Sequence, residues 1–145
     1  MYELTLPSDT SVLQNIWRKP NFKIYSQSDS SESSILGLNA EKLMSYSSLE
    51  KGWNGYDAEP IPASVIDKTR NFLMQLPFQP NIVPTGRQTI QIDYDLDKDD
   101  FIEIEIFENS ILMYYELKGK VFEAEVSEKD AVNKLKEFMV WKEKA

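Results

Sequence analysis

The sequence predicts an α+β domain: a four-stranded antiparallel β-meander packed on one face by helices, preceded by an irregular N-terminal arm. Three observations carry that prediction. From residue 88 onward, apolar and polar residues alternate with a period of two in four runs separated by short polar turns. Two segments, at about 63–76 and 128–143, instead space their apolar residues at i, i+3, i+4 and i+7, one stripe of a helix. A chain of 145 residues with 41% hydrophobic composition can bury one core without a disulfide or a metal to hold it.

Residues 1–38 form the arm, and 39–145 the α+β domain. Within the arm, YELTL and FKIYS read as short strands. Asp9 to Lys19 reads as a weak helix ended by Pro20, and the Ser-rich run Ser26 to Ser34 as a loop. A short helix is expected over 40–50. Asn39 would be its N-cap, Leu38 and Leu43 a hydrophobic staple, and Gly52 the left-handed residue past its end. A turn-rich segment follows, Gly52-Trp53-Asn54-Gly55-Tyr56-Asp57-Ala58, and Pro60 and Pro62 lead into the helix at 63–76. That helix buries Val65, Ile66, Thr69, Phe72, Leu73 and Leu76 and stops at Pro77. The strands are expected at 88–95, 100–107, 110–117 and 120–126. Ser127, with Asp130 three residues on, starts the last helix, whose buried positions are Ala131, Val132, Leu135, Phe138 and Met139.

Turn positions set the register. A turn at Lys118-Gly119 pairs Glu116 with Val121 and Met113 with Ala124. A turn at Glu108-Asn109 pairs Ile106 with Ile111 and Glu103 with Tyr114. A three-residue loop at Asp97 to Asp99 pairs Tyr94 with Ile102 and Asp93 with Glu103. In this register every strand sends its apolar residues to one face: Ile90, Ile92, Tyr94, Ile102, Ile104, Ile106, Ile111, Met113, Tyr115, Phe122, Ala124 and Val126. A slip of one residue would turn a whole set into water.

Composition excludes several kinds of chemistry. There is no cysteine, hence no disulfide, thiolate nucleophile or Cys-based metal site, and no histidine, hence no Ser-His-Asp triad and no imidazole ligand. No catalytic set, metal site or cofactor is expected. A formal net charge of -8 argues against direct nucleic-acid binding through a basic face. No apolar run approaches the roughly 20 residues of a membrane span, and the start, MYELTLPSD, lacks the basic and apolar regions of a signal peptide. A cytoplasmic protein is expected. The segment Pro84-Thr85-Gly86-Arg87 lacks the spacing of a phosphate loop.

The charge is local. Residues 93–130 hold 13 Asp and Glu against 4 Lys, while the remainder is close to neutral. Twelve side chains face away from the predicted core: Gln91, Asp93, Asp95, Phe101, Glu103, Glu105, Leu112, Tyr114, Glu116, Val121, Glu123 and Glu125. Seven are carboxylates and none is basic. A merely solvated sheet face mixes Lys with Glu, because like charges directly opposite each other are destabilising. This face therefore reads as a contact surface for a basic protein, in the manner of an antitoxin, an immunity protein or an inhibitor. The basic residues of the arm, Arg18, Lys19 and Lys23 beside Trp17, make it a second candidate to lie there. The run Asp93 to Asp100 fails as an EF-hand loop, with Lys98 and Ile104 where Gly and Glu are required. An alternative site for a small ligand lies at Trp53, Asn54, Tyr56 and Asp57, since rigid aromatic loops bind ligands.

The stretch GWNGYDAEPIP, with PNIVPT, IQIDY and FIEIEIF after it, resembles a family of small uncharacterised bacterial and phage-associated proteins. Their pattern runs G-W-D-G-Y-G-A, a proline-led helix, P-x-I-x-P-T and strands ending L-E-I-E-I. The resemblance covers about residues 49–107 and rests on Gly52, Trp53, Gly55, Tyr56, Ala58, Pro84 and Thr85. Asn54 and Asp57 depart from it, and Arg87-Gln88 replaces a glycine pair. It implies a bacterial origin, a phage or defence setting and an α+β fold, and it carries no catalytic residues.

Overall fold

In a computed structural model, residues 34–144 are described, and the compact unit considered below is Leu36–Ala145. The strands and helix expected in the arm lie outside the described residues. The helices and strands of this unit follow in order: α1 (Leu38–Ser47), α2 (Ala63–Leu73), β1 (Asn81–Pro84), β2 (Ile90–Asp95), β3 (Phe101–Ile106), β4 (Ile111–Leu117), β5 (Lys120–Val126) and α3 (Glu128–Lys144). The sheet is antiparallel throughout, in the order β1-β2-β3-β4-β5.

The four expected strands form with the expected register, including Asp93 opposite Glu103, Glu103 opposite Tyr114 and Glu116 opposite Val121. Lys118 and Gly119 make the two-residue turn with φ of 53° and 80°, the pair of positive angles that suits a hairpin's twist. Asp97 shapes the β2–β3 loop, its Oδ1 accepting from the backbone N–H groups of Asp99 and Asp100 at 2.8 and 2.9 Å. Those bonds favour its charged form and hold its carboxyl below the usual value.

The count of four strands is corrected to five. β1 runs antiparallel to β2, with Ile82 opposite Ile92 and Pro84 opposite Ile90. Pro80 and Pro84 bracket the segment and argue against a strand in sequence, yet an edge strand tolerates proline because one side of it needs no ladder bonds. Ile82 is fully buried, so the strand earns its place through the core.

One face of the sheet and the helices share that core. α2 packs on β2 and β3, α3 on β3 and β4, and α1 against α2 and β1. Val65, Ile66, Phe72, Leu73, Leu135, Phe138 and Met139 meet Ile82, Ile90, Ile92, Ile102, Ile104, Ile106, Ile111 and Met113. β5 is covered least: Phe122 is 36% exposed and stacks on Tyr115 at 5.1 Å between ring centroids. Ser127 caps α3, its Oγ accepting from the N–H of Asp130 at 3.1 Å.

The start of α1 differs from expectation. Gly37, not Asn39, precedes the helix, and Leu38 is 72% exposed, so no staple forms with the buried Leu43. Asn39 is instead buried inside the helix, its Nδ2 donating to Gln79 Oε1 and to the carbonyl of Pro80, both at 3.0 Å. Its polarity ties α1 to the approach to β1 rather than capping an end. The helix ends at Ser47, and Gly52, with φ of 82°, belongs to the separate turn that follows. α2 ends at Leu73, and the chain tightens through i→i+3 bonds, Gln75 to Phe72 and Leu76 to Leu73, before Pro77.

Candidate functional site

The twelve outward positions share one sheet face because alternation along each strand is strict and the hairpin turns hold the register. β1 adds Asn81 and Val83 beside Asp93 and Gln91. At the centre of the face is a shallow depression of about 280 Å³, lined by Arg87, Gln91, Glu103, Glu105, Leu112, Tyr114 and Glu123. It brings five of the residues expected for partner contact together. Asp93, Asp95, Phe101, Glu116 and Glu125 lie on the surrounding face.

Two features of the depression were not expected. The first is Arg87. No outward strand position is basic, but the β1–β2 turn delivers a guanidinium from the side. Its Nε donates to Glu105 Oε2 at 3.1 Å and its Nη2 to Oε1 at 2.6 Å, a two-pronged pair. Thr89 Oγ1 donates to the same Oε2 at 2.5 Å, and Thr85 shares a hydrogen bond with Thr89. Glu105 is only 7% exposed. Its carboxylate therefore serves the β1–β2 hairpin.

The second feature is the crowding around Glu103. Burial, followed by the charges of Asp93, Asp95 and Glu116, raises the Glu103 carboxyl above its ordinary value. Asp93 receives a bond from Gln91 Nε2 at 2.9 Å. The Tyr114 hydroxyl donates to Glu116 Oε2, and that bond is the chief reason the phenol is raised as well. The Phe101 and Tyr114 rings lie 5.8 Å apart, giving the face an aromatic centre among the carboxylates.

At the opposite end of the sheet, Asp100 is buried. Its Oδ1 accepts from the N–H of Lys118 at 2.9 Å, bracing the β4–β5 turn. With Asp97 bonded to its own loop, the acidic turn is shaped by its backbone. Among the described residues, no group of three or more metal-ligating side chains is placed to hold an ion.

The alternative site around Trp53 is a self-bonded turn. Asn54 Oδ1 accepts from the N–H groups of Tyr56 and Ala58 at 2.9 and 3.3 Å, and Gly52 N–H donates to Ala58 O at 2.7 Å. Trp53 Nε1 donates to Glu59 O at 3.2 Å. Asn54 Nδ2 sits against Gly86, where an added Cβ would lie 3.3 Å from it, so the turn also braces the β1–β2 hairpin that carries Arg87. Asn54 is thus engaged by backbone, while Tyr56 stands 85% exposed and Asp57 is exposed beside it. Among the described residues, no helix is long and apolar enough to cross a membrane. No protein-family model matches the chain, and no curated protein and no solved structure matches it.

Proposed function

We propose that this chain is a non-enzymatic interaction protein that binds a basic protein through the acidic face of its sheet, as an antitoxin, an immunity protein or a phage-encoded inhibitor does. One observation carries the reading: Asp93 stands directly opposite Glu103 on a face with seven carboxylates and no Lys or Arg among its twelve outward strand positions, so the face carries a like-charge cost that a cationic partner relieves. The one basic group lining the depression, Arg87, is already matched to Glu105. Leu112, Tyr114 and Phe101 supply apolar area that gains from being covered, the mixture expected at the centre of a contact patch. The resemblance of the GWNGYDA segment to bacterial and phage-associated proteins belongs to the same proposal.

The test is a pull-down from the source cells with the wild-type chain and with Glu103, Glu123 and Glu125 changed to Lys. Glu105 is left intact because it is part of the fold. Loss of a captured basic protein on charge reversal, with capture weakening as salt rises, supports the reading. An unchanged captured set refutes it.

A further inference from the structure

The two edges of the sheet are not equivalent. The Thr85 N–H to Thr89 C=O bond sets the ladder parity of the first hairpin, which turns the backbone groups of Ile82 and Pro84 outward from β1. Both are blocked. Pro84 has no N–H, and the carbonyl of Ile82 accepts from the Tyr46 hydroxyl of α1 at 3.0 Å. At the other edge, the two-residue turn makes Leu117–Lys120 a bonded pair, so Lys120, Phe122, Ala124 and Val126 bond to β4. The N–H and C=O groups of Val121, Glu123 and Glu125 point away from the sheet. β5 is seven residues long, with no proline, no glycine and no bulge, and no strand pairs with its outer edge among the described residues. Natural sheets usually cover, shorten or interrupt such an edge.

We propose that the basic partner is recognised as an extended strand added to β5. The inference rests on the acidic-face reading above and names its geometry. Residues opposite Glu123 and Glu125 in an added strand share their face and are directly apposed to them, so they are Lys or Arg. The residues between them fall on the inner face beside Phe122 and Ala124, which the helices leave partly uncovered, and are apolar. The recognised element is therefore a strand alternating basic and apolar residues. A second copy of β5 supplies no cation at these positions, since its own outward-bonding residues are Val121, Glu123 and Glu125. Pairing it antiparallel with itself about Glu123 would set Glu123 against Glu123, and a like pair there is destabilising.

The probe is a labelled seven-residue peptide alternating Lys and Val, compared with a block isomer of the same composition. Both are titrated against the full chain by fluorescence anisotropy, with amide hydrogen exchange on β5. The alternating peptide binds about tenfold tighter than the block isomer and slows exchange at the amides of Val121, Glu123 and Glu125. Glu123→Pro abolishes that preference while keeping the β4 ladder, because the lost N–H points outward. Glu123→Gln removes the same charge and retains the preference. Circular dichroism checks that the proline variant folds, and Glu125→Pro provides the same test at a second position. Equal binding of the two isomers, or amides already protected in the free protein, overturns the strand mode. Equal binding that Glu103→Lys abolishes overturns it while leaving the charge reading standing. An unchanged pull-down removes the charge reading separately.

Discussion

Arg87→Ala tests whether the β1–β2 hairpin is held by the ion pair beneath the acidic face. Arg87 supplies two of the three donors to the Glu105 carboxylate, at 3.1 and 2.6 Å, and Thr89 supplies the third at 2.5 Å. The carboxylate is buried, with its side chain 8% exposed, whereas the arginine is 67% exposed. Removing one member of a fully buried pair costs about 3–5 kcal/mol. Here water reaches the arginine side, so the loss is closer to that of a charged hydrogen-bonded contact, about 2 kcal/mol. At about 4 °C per kcal/mol for a domain of this size, Tm falls by about 8 °C. The double variant Arg87→Ala with Glu105→Gln recovers about 1 kcal/mol of that loss, because the amide needs no counter-charge in its buried site. Thermal and urea unfolding followed by circular dichroism at pH 7 measure all four corners of the cycle. If Arg87→Ala unfolds within about 0.5 kcal/mol of wild type, or if the two substitutions simply add, the pair does not hold the hairpin.

Three further outcomes follow from the same geometry. Glu103→Gln stabilises the protein at pH 7 by about 0.5 kcal/mol, the cost of a like-charged cross-strand neighbour. Because the folded carboxyl is raised, it takes up its proton at higher pH than in the unfolded chain. The Glu103 contribution to stability therefore rises as pH falls through the folded value towards the ordinary one, and the advantage of Glu103→Gln fades over that window, measurable by urea titrations of both proteins at stepped pH. Ile82→Ala, at the fully buried position of β1, costs about 2–5 kcal/mol, and equilibrium unfolding within about 0.5 kcal/mol of wild type would mean that β1 is not part of the core. Lys118→Asn stabilises by up to about 1 kcal/mol, since asparagine tolerates the left-handed conformation better than lysine, and a lower Tm would argue against a positive φ there.

Much of this architecture was legible in the residues, for a local reason. A strand with one buried face must alternate, and a helix with one buried face must repeat at three and four, so β2 to β5, α2 and α3 announce their inward residues through neighbours two to four positions away. The turns Glu108-Asn109 and Lys118-Gly119 then fix register over only a few residues, and the acidic face follows without further information. What stayed hidden depends on partners distant in the chain. β1 has four residues bracketed by prolines, and its place comes from Ile82 reaching a core assembled by later strands. Asn39 has the composition of a cap, but the chain at Gln79 and Pro80, forty residues away, draws it into the interior. Arg87 lies outside any period, so only the folding of its hairpin beside β3 shows that it meets Glu105 and withdraws one carboxylate from the face. The sequence by itself determined which residues face in, which face out and with what charge, because periodicity is written into adjacent positions. Tertiary structure alone decided which of those charges are spent inside the fold and which sheet edge is left open among the described residues, because both depend on what the rest of the chain brings alongside.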